Sequence, residues 1–89
     1  MSPAQQELFD LAILRVLNAN RARYGLTVAA TRHWMAEFGF RSPDADTVLD
    51  RIDYLVGKKL VEEVSKLLGN ANRAWRITDD GLKYVDEHP

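Results

Sequence analysis

The sequence predicts a small α+β domain in which three helices precede a β-hairpin and a short fourth helix. Apolar residues recur at helical spacing over most of the chain and alternate with polar residues near its end. The 89 residues are 46% hydrophobic and 28% charged, a composition that suits one core of globular type. We therefore expect residues 1–89 to form a single domain without an internal repeat.

Charge and cysteine content limit the functions open to this chain. Twelve basic and thirteen acidic residues give a net charge of −1, so any attraction to nucleic acid must come from a local basic surface. The chain has no cysteine, which excludes disulfides, thiolate zinc sites and thiol nucleophiles. The longest apolar run, residues 11–14, is too short for a membrane span or a signal-peptide core. We expect a cytoplasmic protein that does not enter membranes.

A capping box predicts the start of the first helix. Ser2 is a suitable N-cap, Pro3 a suitable first helical residue, and Gln5 completes the box, with the helix running to about residue 20. One half of this helix is apolar: Leu8, Phe9, Ala12, Ile13, Val16 and Leu17. Leu11 and Leu14 fall outside that half. We favour their burial by the last helix, and a homodimer seam through Leu11 and Leu14 is the alternative.

Two further helices are predicted on either side of a glycine-containing turn. Thr27 can cap the second helix, and Gly39 is placed to end it in the left-handed conformation. Ser42 and Pro43 repeat the signal of a cap and a first-turn proline, so the third helix is expected from about Pro43 to Gly57. The apolar positions of the two helices are Ala30, Trp34, Met35, Phe38, Ala45, Val48, Leu49, Ile52, Leu55 and Val56. Helices joined in this way form the helix–turn–helix pattern.

A β-hairpin is predicted from two short runs, residues 60–64 and 73–77, on either side of a polar stretch. A two-residue turn at Gly69-Asn70 sets Val64 opposite Trp75 but Glu62 opposite Ile77. The sequence therefore leaves the register of the hairpin open.

Thr78 is the predicted cap of the last helix, whose first turn holds Asp79 and Asp80, where carboxylates suit the helix dipole. Both tryptophans are assigned to the core, because so large a side chain is rarely exposed on a small domain. The predicted core comprises Phe9, Ile13, Val16, Leu17, Trp34, Phe38, Val48, Leu49, Ile52, Leu55, Leu60, Trp75 and Ile77.

This order of elements resembles the winged helix–turn–helix domain of bacterial regulators of the MarR, ArsR and PadR families. Leu55, Leu60-Val61 and residues 73–81 (Arg-Ala-Trp-Arg-Ile-Thr-Asp-Asp-Gly) are similar to the family signature Leu-x-x-x-Gly-Leu-Val, wing, Arg-x-Tyr-x-Leu-Thr-x-x-Gly. Lys59 stands where the family has glycine, and the long helices through which MarR and PadR proteins dimerise are missing. The chain is also loosely similar to small winged-helix proteins of Mu-like bacteriophages.

The resemblance implies a non-enzymatic, DNA-binding transcriptional regulator whose third helix enters the major groove of double-stranded DNA. By this resemblance, the residues that approach the groove are Ser42, Thr47, Arg51 and Tyr54. The residues that hold phosphates are Arg41, Lys58, Lys66, Arg73 and Arg76.

The charge of the third helix favours a different function. Asp46, Asp50 and Asp53 lie on its outward face, where DNA phosphates would repel them. Asp46 and Asp50 also form an i,i+4 like-charge pair that costs the helix about 0.2–0.5 kcal/mol. This acidic face suits a basic protein partner, with Leu67 and Leu68 near the hairpin tip as an apolar anchor. A protein-docking winged helix is therefore the alternative function.

The sequence offers no pattern typical of catalysis or of metal or cofactor binding. His33 and His88 are isolated from each other, and Asp79-Asp80 is explained by helix capping. Carboxylates on one helix face cannot encircle Ca²⁺ or Mg²⁺. No glycine-rich phosphate loop or nucleophile–base pair is present, so we expect neither an enzyme nor a cofactor.

Overall fold

The computed structural model describes residues 1–21, 25–64 and 73–88. These residues form four α-helices and a two-stranded antiparallel sheet, which confirms the predicted α+β class and the order of its elements. The elements are α1 (Pro3–Ala19), α2 (Val28–Met35) with a 3-10 turn (Ala36–Phe38), α3 (Ala45–Gly57), β1 (Val61–Glu63), β2 (Trp75–Ile77) and α4 (Asp79–Glu87). Within the described ranges, none of the helices has the length and apolar character needed to cross a membrane.

Helix α1 begins with the predicted capping box and lies at the centre of the fold. The Ser2 hydroxyl accepts from the Gln5 N–H at 3.2 Å, and the Gln5 side chain accepts from the Ser2 N–H at 3.1 Å. The helix packs against α2, α3, α4 and β2. Its buried residues are Phe9, Ala12, Ile13, Leu14, Val16 and Leu17.

The burial of Leu14 decides between the two interpretations of the surplus leucines. Leu14 is fully buried and Leu11 is half-buried, and α4 packs against α1 as expected. Leu14 therefore cannot form the homodimer seam considered above, and burial within the chain is the correct interpretation for this residue. Leu8, assigned to the inward half of the helix, is instead 60% exposed.

The start of α3 differs from the prediction. Its N-cap is Asp44, whose carboxylate accepts from the Thr47 N–H at 3.1 Å, so Ser42 is not the cap. An N-cap needs an extended backbone, which Asp44 has, whereas Ser42 has a left-handed backbone with φ of 46°. Pro43 consequently precedes the helix instead of opening it. The predicted cap of α2 is correct: the Thr27 hydroxyl accepts from the Ala30 N–H at 3.2 Å.

The end of α3 keeps the expected turn although it lacks the expected glycine. Lys59 has a left-handed backbone with φ of 64°. Its N–H donates to the Val56 carbonyl at 2.9 Å, and the Leu60 N–H donates to the Leu55 carbonyl at 3.1 Å. These two bonds are the Schellman pattern, which usually has glycine at this position.

The structure gives the register of the sheet, which the sequence left open. Val61 pairs with Ile77 and Glu63 with Trp75, one residue away from the register that a Gly69-Asn70 turn would set. The observed register turns Val61 and Ile77 inward, where both are buried. The predicted turn at Gly69-Asn70, together with Lys66, Leu67 and Leu68, lies outside the described residues.

The segment before α2 extends the sheet by one residue. The Leu26 N–H donates to the Trp75 carbonyl at 2.8 Å, and the Trp75 N–H donates to the Leu26 carbonyl at 2.9 Å. Trp75 is thereby fixed between Leu26 and Glu63, with its side chain 1% exposed.

Thr78 connects the sheet to α4 and to the end of α3. Its hydroxyl accepts from the Gly81 N–H at 3.0 Å and donates to the Lys59 carbonyl at 2.8 Å. The predicted cap of α4 is therefore correct, and the same side chain holds the α3–β1 turn in place.

The core contains most of the predicted residues, with corrections on the second and third helices. Buried as predicted are Phe9, Ile13, Val16, Leu17, Val48, Ile52, Leu55, Trp75 and Ile77. Trp34, Phe38, Leu49 and Leu60 are only partly buried. The predicted core omits Ala12, Leu14, Leu26, Met35 and Val61, which are buried. Of these, Ala12 belongs to the predicted apolar half of α1, and burial of Leu14 is the interpretation favoured from the sequence. Met35 takes the inward position of α2, and Trp34 turns its ring toward His33.

Candidate nucleic-acid interface

The outward surface of α3 carries the charges that the sequence predicted. Asp46, Asp50 and Asp53, hereafter the acidic face, are all exposed, as are Tyr54 and Lys58. Asp44 is occupied by capping, since its carboxylate also accepts from the Thr47 hydroxyl at 3.3 Å. Thr47 is half-buried. The surface that would meet a partner at the start of α3 is therefore acidic.

Arg51 is held by α1 and does not extend into solvent. Its Nε and Nη2 donate to the two carboxylate oxygens of Asp10 at 2.8 and 2.7 Å. The two side chains are 17% and 14% exposed. The hydrogen bond to Asp10 raises the pKa of Arg51 above its usual value. Arg51 therefore joins α3 to α1. Its partner, Asp10, was not predicted from the sequence.

Tyr54 lies beside two cations at the C-terminal half of α3. Its ring centroid is 4.2 Å from the Arg51 guanidinium carbon and 5.5 Å from the Lys58 ammonium nitrogen. The ring is 46% exposed. Stacking of this kind fixes the orientation of an exposed aromatic side chain.

A groove of about 440 Å³ between α1, α3 and α4 opens beside this stack. Tyr54 and Tyr84 lie in its wall, and Glu7 and Asp10 come from α1. Burial, with the nearby carboxylates of Glu7 and Asp10, raises the pKa of the Tyr84 phenol above its usual value. The charges in this groove are mixed, because Arg51 and Lys58 lie opposite the two carboxylates.

The two arginines predicted on the hairpin are both paired with glutamates of β1. Arg73 donates through Nε and Nη2 to Glu63, at 3.0 Å for both bonds, and its guanidinium lies 4.9 Å from the Trp75 ring centroid. The bond to Glu63 raises the pKa of Arg73. Arg76 bonds to Glu62 at 2.5 Å. Cross-strand neighbours of opposite charge often pair in this way. The ion pair of Glu62 and Arg76 could therefore have been predicted if the strand register had been known.

One of the predicted phosphate contacts, Arg73, lies close to the acidic face. Nη2 of Arg73 is 3.9 Å from the carboxylate of Asp53, which joins the segment before β2 to the flank of α3. The hairpin and the third helix therefore present one continuous surface of mixed charge. Lys66, the remaining predicted phosphate contact, lies outside the described residues.

The turn between α2 and α3 holds the remaining predicted residues. Arg41 and Ser42 are exposed there and line a concavity of about 420 Å³ together with residues of α2 and the 3-10 turn. We call it the basic concavity; its lining residues are Ala29, Arg32, His33, Ala36, Arg41 and Ser42. No role for His33 could be predicted from the sequence, because its proximity to Arg41 depends on the packing of the turn.

Comparison with known proteins places the chain by fold. No protein family and no curated protein matches the sequence. Among solved structures, one of Bordetella bronchiseptica BpsR, from work on how 6-hydroxynicotinic acid regulates its DNA binding, superposes with a TM-score of 0.69. The two chains share a fold. The match covers 89% of this chain and 53% of the BpsR chain at 20% sequence identity, so this chain spans about half the length of BpsR. At that identity the likeness is one of fold alone.

Proposed function

We propose that the chain is a non-enzymatic winged helix–turn–helix module that binds double-stranded DNA as part of a transcription regulator. The observation that carries the proposal is the shared fold with BpsR, a protein whose DNA binding is regulated, over 89% of this chain. The order of α2, turn, α3 and two-stranded sheet supports the same function. In this proposal α3 is the recognition helix and β1–β2 is the wing.

The residues assigned to base edges in this proposal are those that remain accessible on α3. Tyr54, which is exposed, and Thr47, which is half-buried, are assigned to the major groove of DNA, and the exposed Ser42 precedes the helix. Arg41 and Lys58 bind phosphates without first giving up an ion pair among the described residues. Lys66 stays a proposed phosphate contact by resemblance.

Arg51, Arg73 and Arg76 contribute differently, because each is already bonded to a carboxylate. A DNA phosphate has to replace Glu62 at Arg76 and Glu63 at Arg73. Replacing the glutamate of an exposed pair by a phosphate costs little free energy, since surface ion pairs are worth at most about 1 kcal/mol. Arg51 is shielded by Asp10, so we assign it to positioning Tyr54 rather than to base contact.

The test is a titration of random-sequence duplex DNA, followed by fluorescence anisotropy over a range of salt concentrations. Binding is expected to weaken steeply as salt rises, because phosphate contacts release counterions. Lys58→Ala is expected to reduce the slope of log K against log[salt] by about one. Lys83→Ala, which removes the same charge from an exposed site on α4, is the matched control and leaves the slope unchanged. Absence of binding at low salt would refute the proposal.

A second candidate function is favoured by the acidic face. Asp46 and Asp50 are exposed and take part in no ion pair among the described residues, whereas the sheet arginines are neutralised by glutamates. A basic protein partner fits such a surface better than DNA does. The test compares capture of cellular proteins by the wild type and by Asp46→Lys with Asp50→Lys. Loss of a specific partner, with Asp86→Lys on α4 as control, supports docking; identical capture by all three removes it.

A further inference from the structure

The basic concavity differs from the surfaces around the other arginines of the proposed interface. Arg51, Arg73 and Arg76 each bond to a carboxylate. The basic concavity, by contrast, is lined by Arg32, His33 and Arg41 without any aspartate or glutamate. The carboxylates nearest along the chain are Glu37, which does not line it, and Asp44, which caps α3. Among the described residues, this site concentrates positive charge without internal neutralisation.

Two alanines give the site its shape. Ala29 lies in the first turn of α2 and Ala36 at the start of the 3-10 turn, and both line the hollow of about 420 Å³. A side chain of one methyl group at each position leaves room that a longer residue would fill. A tetrahedral oxyanion needs less volume than this hollow provides, so a ligand can reach the flanking cations.

The guanidinium of Arg32 is fixed in advance. Its Nε donates to the Pro43 carbonyl at 2.6 Å, which ties α2 to the turn before α3. The two terminal nitrogens of Arg32 make no hydrogen bond to any other described residue. An arginine already held in one orientation loses less entropy when it binds an oxyanion.

Arg41 and Ser42 complete the donor set of the hollow. Arg41 is exposed and has no ion pair in the described part of the chain. Ser42 is exposed with a left-handed backbone, an unusual conformation for serine that costs about 1 kcal/mol or more. His33 supplies a ring nitrogen, with its ring set against Trp34 at 5.2 Å between centroids.

We infer that the basic concavity binds a phosphate group, with Arg32 and Arg41 as its charged donors and Ser42 and His33 as additional donors. Two arginines, a hydroxyl and an imidazole without an opposing carboxylate match the donors that proteins use for phosphate. The inference rests on the proposed function for the source of the phosphate, the DNA backbone, but the site itself does not depend on it. A free phosphate ester is the other source with the same chemistry.

The experiment is a residue-resolved NMR titration of the ¹⁵N-labelled protein with two probes, inorganic phosphate and random-sequence duplex DNA. Phosphate is expected to shift the Arg32 and Arg41 side-chain Nε–Hε signals and the amides around Ser42. Arg41→Ala is expected to lower the phosphate affinity about tenfold, the effect of one charge-assisted contact. Ala36→Glu places a carboxylate in the hollow and is expected to abolish phosphate binding. Both substituted positions are exposed, so the variants are expected to keep the fold, which circular dichroism checks. Lys83→Ala is the charge control.

The outcomes separate this inference from the proposed function. Phosphate shifts at Arg73 and Arg76 instead, or no shifts at all, overturn the site. DNA that binds without disturbing Arg32 and Arg41 leaves the proposed function standing and removes the site as a DNA contact. Phosphate bound in the basic concavity, with no DNA binding, keeps the site and identifies a free phosphate ester as its ligand. DNA and phosphate that perturb the same residues and compete establish the DNA backbone as the source.

Discussion

Residue 81 is a glycine for a steric reason. A Cβ at this position would overlap the carbonyl oxygen of Leu60 and the side chain of Ile77, because α4 begins directly against the end of the sheet. The Thr78 cap and the α3–β1 turn meet at the same place. The absence of a Cβ at residue 81 therefore allows α4, the end of the sheet and the α3–β1 turn to approach one another closely.

Gly81→Ala is expected to lower the free energy of unfolding by about 1–3 kcal/mol, the usual cost of overpacking a core. That corresponds to a fall in the melting temperature of about 4–8 °C per kcal/mol for a domain of this size. Gly57→Ala is the matched control, since nothing lies within 4 Å of a Cβ there, and it is expected to stabilise α3 slightly. Equal melting temperatures for the two variants would contradict the steric explanation.

Lys59 is a residue whose backbone conformation costs stability. Lysine pays about 1 kcal/mol to adopt a left-handed backbone, whereas glycine adopts it freely. Lys59→Gly is therefore expected to raise the free energy of unfolding by about 1 kcal/mol, measured by urea denaturation. Lys58→Gly, at the neighbouring site with φ of −85°, is the control and is expected to destabilise. A Lys59→Gly protein that unfolds at lower urea would show that the side chain contributes more than its backbone costs.

At the scale of elements, two ion pairs that differ in exposure connect neighbouring helices and strands. The pair of Asp10 and Arg51 crosses between α1 and α3 with two hydrogen bonds and little exposure. The pair of Glu62 and Arg76 crosses between strands at about half exposure of each side chain (48% and 56%). Shielding from water strengthens the first pair relative to the second, because solvent screens exposed charges.

A double-mutant cycle on Asp10→Ala and Arg51→Ala is expected to give a coupling energy of about 1–2 kcal/mol. The same cycle on Glu62→Ala and Arg76→Ala is expected to give less than about 1 kcal/mol, and its coupling falls further in high salt. Thermal or urea unfolding of the seven proteins, the wild type, four single variants and two double variants, measures both. Equal coupling in the two cycles would mean that burial does not distinguish the pairs.

The sequence predicted the elements well where the signal was local. The caps at Ser2, Thr27 and Thr78 each depend on a side chain that reaches a backbone N–H three residues away, so they could be identified without knowledge of the packing. The predicted cap of α3 was wrong because Ser42 and Asp44 both have side chains that can cap a helix. Only the backbone conformation of the turn decides between them.

The arrangement of the candidate site was less accessible to sequence reasoning. Exposure of the acidic face follows from helical period alone and was predicted correctly. The partner of Arg51, by contrast, lies 41 residues away, and the partners of the hairpin arginines depend on a strand register that the sequence left open. The resemblance indicated Arg41 and Ser42, but their convergence with Arg32 and His33 in the basic concavity depends on the packing of α2 against the turn.

At the scale of the whole molecule, α1 is the element that the others share, and α4 covers its outer side. Tyr84 of α4 lies in the groove formed with α1 and α3, and its ring stacks on His88 with centroids 4.1 Å apart. Burial favours the neutral phenol, so the folded state holds the Tyr84 proton to a higher pH than the unfolded state does.

Stability is therefore expected to decline at alkaline pH. Because the pKa of Tyr84 is raised on folding, its contribution is complete below the unfolded value of about 10 and is lost as pH rises through the folded value. Urea unfolding at a series of pH values above neutrality measures the decline. Tyr84→Phe is expected to show a shallower decline than the wild type. A decline that is identical in the two proteins would assign it to other groups.

The pairing of Leu26 with Trp75 has a consequence for association between copies of the protein. Trp75 has a neighbour on both sides: Leu26, which takes both of its backbone hydrogen bonds, and Glu63, which lies opposite it in the sheet. A strand from another molecule therefore cannot add to β2 at that position. Two of the three residues of β1, the neighbouring strand, are glutamates. Two copies of β1 side by side would bring these like charges together, which is one way in which natural sheets avoid aggregation. Leu26, the bridging residue ahead of α2, thus prevents a second molecule from pairing with β2 at Trp75.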